Sequence, residues 1–285
     1  MRQILNLYRR VYEDLLAVPV ICGIKSEKEK FAGGLYTTTT EAFIPTTGRA
    51  IQGATSHCLG QNFAEMFNIV FEDEKGGKSM VWQNSWGLTT RTIGVMVMVH
   101  GDDKGLVLPP RVASIQAIVI ACGITVRTTP EEKAVIEKSA NDLVDSLVAA
   151  GIRAKGDLRD NYTPGYKFNH WELKGVPLRL EVGPTDMAKN QVRCVRRVDG
   201  IKTQLSRIDI GKTVRDYLDV TQADMLARAQ KARDERLVHL TSFDGFVKAL
   251  DQKCLVLAPW CETVKCEEEV KERSSRQYVP PILLH

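Results

Sequence analysis

The sequence predicts a mixed α/β protein that opens on an antiparallel sheet and continues into an α/β layer. Residues 1–112 hold short strand-like segments separated by Gly, Pro and charged turns, the pattern of hairpin-connected strands. From residue 113 onward, near-continuous apolar runs alternate with helical periodicity, the pattern of buried strands joined by helices. The 285 residues are 44% hydrophobic and 26% charged, which is globular composition with room for two or three domains.

The elements follow in order. Residues 2–17 predict an amphipathic helix, with Ile4, Tyr8, Val11 and Leu15 on one face and Pro19 ending it. Val18 to Ile24 predicts a strand, and Tyr36 to Ile44, rich in threonine and aromatics, predicts another. Residues 50–60 mix small and polar side chains, and Asn62 to Phe67 reads as a short helical turn. Val70–Glu72 and Ser79–Gln83 flank a Gly-Gly turn and read as a hairpin. Residues 84–94 read as a small, hydroxyl-rich turn with one arginine, entering an apolar run.

In the middle segment, Ile115–Ile120 is a strand of the buried type. Thr128/Thr129-Pro130-Glu131-Glu132 starts a helix with a hydroxyl cap, proline in the first turn and acids at the positive end of the dipole. Its buried face is Ile136, Ala140, Leu143 and Leu147, and Gly151 stops it. Further strands are expected at 153–158, 176–183 and 191–197, with a short helix at 185–190. Residues 211–235 form one long helix burying Val214, Leu218, Ala223 and Leu226, and Phe243–Leu250 forms another.

No apolar run approaches the ~20 residues of a membrane span, and the N-terminus has no signal-peptide layout. The seven scattered cysteines suit a reducing compartment, so cytoplasm is expected. The net charge of +4 falls mostly in residues 113–210, with 15 Lys/Arg against 12 Asp/Glu; that permits a nucleic-acid partner without identifying one.

Several residues are candidates for chemistry. Small residues at 84–94 let backbone approach a ligand, and the Arg91 fork suits phosphate. The same stretch also reads as a plain turn into a core helix. His57, among small residues, is either a pocket ligand or a hydrogen-bonded core histidine. Arg153, Lys155, Arg159, Lys174 and Arg179 lie near Tyr162, Tyr166, Phe168 and Trp171. Basic groups hold phosphate and aromatics stack unpaired bases; equally, the rings can be core and the charges solvated. Cys261 and Cys266 could supply half of a four-ligand zinc site.

Taken together, these segments resemble the prolyl-tRNA synthetase family of class II, in its eukaryotic and archaeal form. The similar runs are Glu27 to Gly34, Gly48 to Gln52, Thr55-Ser56-His57, Leu59 to Phe63, Gln83 to Thr92 (motif 3) and His100-Gly101-Asp102. Asp157 to Gly165, Lys167 to Gly175 and the stretch to Gly183-Pro184 look like its anticodon-binding domain. The resemblance implies part of an antiparallel-sheet catalytic domain at 1–112, an α/β anticodon-binding domain at 113–210 and an incomplete zinc-type α+β domain at 211–285.

The implied activity joins L-proline to tRNA(Pro) through a prolyl-adenylate, using ATP and Mg2+. Arg91 would pack on adenine and contact phosphate, Thr89 would contact the nucleotide, and Gln52 and Thr55 would line the ATP side, with Gln52 near magnesium. Phe31, His57, Ser85 and Gly87 would form the proline pocket, with no general base among them. Arg159, Lys174 and Arg179 would serve the anticodon region. Cys261 and Cys266 would be the first pair of zinc cysteines, their second pair lying outside the chain. A homodimer is expected for the full-length enzyme, with no membrane association. Motifs 1 and 2 and a Thr-x-Glu loop are expected before Met1, so the chain alone is expected to show little or no activity. The alternative is a non-catalytic tRNA-binding or regulatory protein that keeps the anticodon-binding domain.

Overall fold

A computed structural model describes residues 1–274 and the backbone of residues 282–284. Two compact units divide the chain: residues 1–14, 18–99 and 229–285 form one, residues 15–17 and 100–228 the other.

In the first unit, helix α1 (Arg2–Arg10) is shorter than the predicted span, and Val11–Leu15 continues it as one wide π turn. Such a turn inserts an extra residue and rotates the face that follows. Tyr12 lies in it, fully buried, with its hydroxyl donating to the Gly53 carbonyl at 3.0 Å. Strands β1 (Val20–Lys25) and β2 (Tyr36–Ile44) lie close to their predicted spans. Residues 49–60, which carry no strand pattern, form the long strand β3 (Arg49–Gly60). A short helix α2 (Asn62–Phe67) leads to the β4–β5 hairpin (Val70–Glu72, Lys78–Met80).

The predicted turn at 84–88 is instead part of a strand, β6 (Gln83–Leu88), paired antiparallel to β3. Its hydrogen bonds to β3 hold it extended, and the sequence hides this because nearly every residue of β6 is exposed. Helix α3 (Arg91–His100) follows and buries Thr92, Val95 and Met96.

The second unit is built on a mixed sheet. Its elements are β7 (Ala117–Ala121), α4 (Pro130–Ala149), β8 (Ala154–Asp157), α5 (Pro164–Leu173), β9 (Leu178–Val182), α6 (Pro184–Ala188), β10 (Gln191–Arg196), β11 (Lys202–Ser206) and most of the long helix α7 (Ile210–Asp234), whose residues from 229 onward belong to the first unit. The strand order is β11-β10-β9-β7-β8, parallel across β9-β7-β8 and antiparallel across β11-β10-β9. Strand β7 is buried on both faces, which explains its unbroken apolar run. Ala117, Val119 and Ala121 pack with Ile136, Ala140, Leu143 and Leu147 of α4, while Ile118 and Ile120 pack with Trp171 and Val176.

Helix α4 begins where its cap predicts. Thr129 accepts from the Glu132 amide and Glu132 accepts from the Thr129 amide, a reciprocal box that contributes on the order of 1 kcal/mol. Gly151, at φ 79°, turns the chain beyond its end. On α7 the predicted face needs one correction: Ala223 is exposed, while Val214, Leu218, Thr221, Met225 and Ala229 are buried. The buried polar Thr221 and Gln222 rotate the stripe away from where hydrophobic residues alone put it.

The remaining elements return to the first unit: β12 (Leu237–His239), α8 (Phe243–Asp251), β13 (Leu255–Leu257), α9 (Val264–Ser274) and β14 (Ile282–Leu284). Strands β12 and β13 pair parallel across α8. The principal sheet runs β14-β1-β2-β3-β6, antiparallel throughout. The fold is the mixed α/β class predicted. Among the described residues no helix is long and apolar enough to cross a membrane.

Candidate functional site

One face of the β1-β2-β3-β6 sheet gathers most of the candidate side chains. Across β2 and β3, Thr37 pairs with His57, Thr39 with Thr55, and Glu41 with Gln52; across β3 and β6, His57 pairs with Ser85 and Thr55 with Gly87. Directly paired residues share a face. Gln52 and Thr55 stand three apart, a spacing that regular alternation would send to opposite faces. A bulge between Thr40 and Glu41 leaves Gly53 unpaired and resets the alternation, so both face the same way.

His57 sits between two hydroxyls. Its Nδ1 is 2.8 Å from Thr37 Oγ1 and its Nε2 is 3.1 Å from Thr55 Oγ1. The Phe31 ring lies 4.9 Å from the imidazole and in turn contacts Phe63, and the Phe31 amide donates to Thr37 Oγ1 at 3.0 Å. Burial lowers the His57 pKa, favouring the neutral ring. Of the two readings of His57, the structure shows the hydrogen-bonded one: both ring nitrogens have hydroxyl partners.

Arg91 stands at the start of α3. Its Nη1 donates to the Gln52 carbonyl at 3.3 Å, and its amide donates to Thr89 Oγ1 at 3.3 Å. Thr89 also anchors the helix start through its carbonyl, which accepts from the Thr92 hydroxyl. The guanidinium is thus tethered beside Gln52, with its side chain exposed. A Cβ on Gly87 would meet nothing within 4 Å. This chain's own packing does not demand glycine there, and the strand leaves open room on the face carrying Thr55. Tyr12 lies on the opposite side of the sheet, its phenol pushed up to about 12 chiefly by burial.

Sequence reasoning missed a buried group on the same face. Lys25 Nζ is 2.7 Å from Glu41 Oε1, with both side chains about nine-tenths buried, and the Thr39 hydroxyl donates to the same oxygen at 2.8 Å. Glu41 is therefore held by its own neighbours, Lys25 and Thr39. The signal was the unusual run of four threonines, Thr37 to Thr40, ending on Glu41 inside a strand.

In the second unit, Asp157 is the centre of a cluster. Arg159 reaches it through Nε at 2.8 Å and Nη2 at 2.7 Å, and the Trp171 indole donates to it at 2.7 Å. Burial pushes the Asp157 carboxyl up, and these hydrogen bonds outweigh it, bringing the pKa down to about 2. Lys167, also buried, donates to the Asp157 carbonyl at 3.1 Å. Trp171 is thereby a core residue. The exposed rings are Tyr162 and Tyr166, stacked at 4.3 Å, with His170 continuing the row at 6.3 Å.

The three basic candidates differ. Arg159 is paired with Asp157 and lies 4.8 Å from the Tyr162 ring. Arg179 is paired with Glu181 and lies 4.0 Å over Phe168. Lys174 has its ammonium 5.1 Å over Trp171.

Cys261 and Cys266 come together at the start of α9. Thr263 Oγ1 is 3.3 Å from the Cys261 sulfur and accepts from the Cys266 amide at 3.3 Å. Cys254 lines a cavity of about 780 Å³ with Phe43, Phe246 and Trp260 instead. Among the described residues no group of three or more His, Cys, Asp or Glu side chains could hold a metal. Cys261 and Cys266 thus stand as a pair of thiols with no further ligating side chains grouped around them among the described residues.

Comparisons with known proteins return matches along the chain. A family model described as an anticodon binding domain matches residues 116–217, and one described as prolyl-tRNA synthetase, C-terminal, matches residues 243–278. The cytoplasmic proline–tRNA ligase of Arabidopsis thaliana is 54% identical over 95% of this chain and 51% of its own length. The proline–tRNA ligase of Encephalitozoon cuniculi is 50% identical over 96% of this chain and 55% of its own length. The crystal structure of prolyl-tRNA synthetase from Cryptosporidium parvum complexed with L-proline and AMP superposes with a TM-score of 0.90 at 50% identity, covering 96% of this chain and 58% of that one. The chain spans between 16% and 56% of the length of the curated relatives it matches.

Proposed function

Because the chain belongs to the prolyl-tRNA synthetase family, we propose that it carries one wall of a prolyl-adenylate site and an anticodon-binding module of a proline–tRNA ligase. The observation that carries this reading is the gathering of Gln52, Thr55, His57, Ser85 and Gly87 on one sheet face, with Arg91 tethered at its edge. Residues 1–112 are assigned to the catalytic domain, 113–210 to the anticodon-binding domain and 211–285 to the C-terminal zinc-type domain.

Each residue then has a physical task. Arg91, planar and permanently charged, packs on the adenine and meets phosphate. Thr89 contacts the nucleotide, and Gln52 would offer an oxygen to a bound Mg2+. ATP supplies the adenylyl group. Phe31 and His57 wall the imino acid, and Ser85 and Gly87 give it room. These groups orient and neutralise; none acts as a general base. Cys261 and Cys266 would contribute two ligands to a Zn2+ ion. A homodimer and a cytoplasmic location complete the proposal.

The test is calorimetric titration of the chain with a non-hydrolysable prolyl-adenylate sulfamate. Binding is expected, and Arg91→Ala is expected to weaken it about tenfold, the loss of one charge-assisted contact. Equal affinity of the two proteins would refute the assignment of Arg91. For the second unit, Tyr162, Tyr166 and His170 form an exposed stacking row beside Arg159 and Lys174. Lys174→Ala is expected to weaken binding of a proline-tRNA transcript several-fold and to reduce the slope of log K against log salt by about 1. An unchanged slope in a filter-binding series would remove Lys174 from the interface.

A further inference from the structure

The hydrogen bonds around His57 have a direction, set by a residue with no role in the proposal above. Thr37 is almost fully buried, and its hydroxyl has two partners among the described residues. The Phe31 amide can only donate, so it occupies a lone pair of Thr37 Oγ1. His57 Nδ1 is the other partner, at 2.8 Å. If Nδ1 carried a proton, Thr37 would accept twice and its own proton would be buried with no acceptor. A buried hydroxyl is expected to be satisfied, so Thr37 donates to Nδ1. In the neutral ring the proton then resides on Nε2, which donates to Thr55 Oγ1 at 3.1 Å. With a lone pair of Thr55 engaged, its own proton turns outward. Thr55 is half-buried on the open face and pairs across the sheet with Gly87, where no side chain fills the space.

We infer that Thr37 is a positioning residue: it directs a chain of hydrogen bonds from the Phe31 amide through Thr37 and His57 to Thr55, so that Thr55 presents a donor to an anionic oxygen of the bound ligand. The last step rests on the reading of this face as the prolyl-adenylate pocket; the earlier steps do not. The anionic oxygen is a carboxylate or a phosphate. The arrangement also ties the pocket wall to the ring, because the hydroxyl that orients His57 holds the Phe31 backbone.

The experiment is two-bond proton–nitrogen correlation NMR on the chain labelled with 15N-histidine. Wild-type His57 is expected to show an unprotonated Nδ1 and a protonated Nε2. Thr37→Ser should keep that pattern, and Thr37→Val should mix the tautomers. A protonated Nδ1 in the wild type overturns the inference without any variant; so does a Thr37→Val protein that folds and keeps the wild-type pattern. L-Proline and AMP are then added separately, to distinguish carboxylate from phosphate. One of them is expected to shift the His57 resonances, and Thr55→Val should weaken that ligand about tenfold. A correct tautomer with no response to either ligand sinks the Thr55 step and the pocket reading while the Thr37 steps hold.

Discussion

Gly53→Ala is expected to cost about 3 kcal/mol of stability, from overpacking of 1–3 kcal/mol and the loss of one hydrogen bond of about 1 kcal/mol. A Cβ at this position would lie 2.8 and 2.9 Å from carbons of the Tyr12 ring and 3.0 Å from Thr40 Oγ1. Tyr12 is fully buried and cannot swing into solvent. If it moves aside, its hydroxyl leaves the Gly53 carbonyl and a buried polar group loses its partner. The expected fall in melting temperature is roughly 6–12 °C by calorimetry, at 2–4 °C per kcal/mol for a protein of this size class.

The same substitution acts on the site. Gly53 is the extra residue of the bulge that brings Gln52 and Thr55 to one face. A strained bulge should misplace Gln52 and weaken prolyl-adenylate sulfamate binding by tenfold or more, since a small shift of a positioning group costs that much. Gly94→Ala is the control: it lies inside α3 with nothing within 4 Å of its Cβ position, so it should be neutral or stabilise by up to about 1 kcal/mol. Loss of less than 1 kcal/mol in Gly53→Ala would show that the sheet relaxes around the methyl group and that the bulge is not rigid.

The contrast between α4 and β3 explains what the sequence made legible. Thr129, Pro130 and Glu132 specify a helix start through local hydrogen bonds, and Ile136, Ala140, Leu143 and Leu147 specify its buried face through period alone. Every instruction is within four residues of its effect. Strand β3 has no such signature. Its bulge breaks the period-two pattern between Gln52 and Thr55, and its pairing partners lie on β2 and β6, outside any local sequence window. Strand β6 is exposed along nearly its whole length, so hydrophobic alternation never develops. Gln52, Thr55, Thr89 and Arg91 could be picked out only because their segments resemble a family. Thr37, Lys25 and Glu41 were missed because their meaning lies in pairings across the sheet.

The second large effect is expected at Asp157. Asp157→Ala should destabilise its unit by about 3 kcal/mol, the scale for a buried charged partner removed from its hydrogen bonds. The Trp171 indole, whose ring is core, would be left with a buried unpaired donor, and Arg159 would lose both of its short contacts. Asp157→Asn keeps the shape but supplies one acceptor oxygen where two are used, so an intermediate loss is expected. The pH dependence has a definite sign. The folded carboxyl titrates at about 2 against an ordinary 3.8, so its stabilisation is full above pH 3.8 and is lost as pH falls toward 2. The shift corresponds to about 2 kcal/mol. Chemical denaturation followed by tryptophan fluorescence at pH 5 and pH 2.5 should therefore show a steeper acid loss in wild type than in Asp157→Asn. Parallel acid limbs in the two proteins would mean that the carboxylate is not the group titrating. Because Asp157 also holds Arg159 beside Tyr162, Asp157→Asn should weaken proline-tRNA binding at pH 7 even where the unit stays folded. Affinity equal to wild type would separate the fold role of this carboxylate from any role in presenting the arginine.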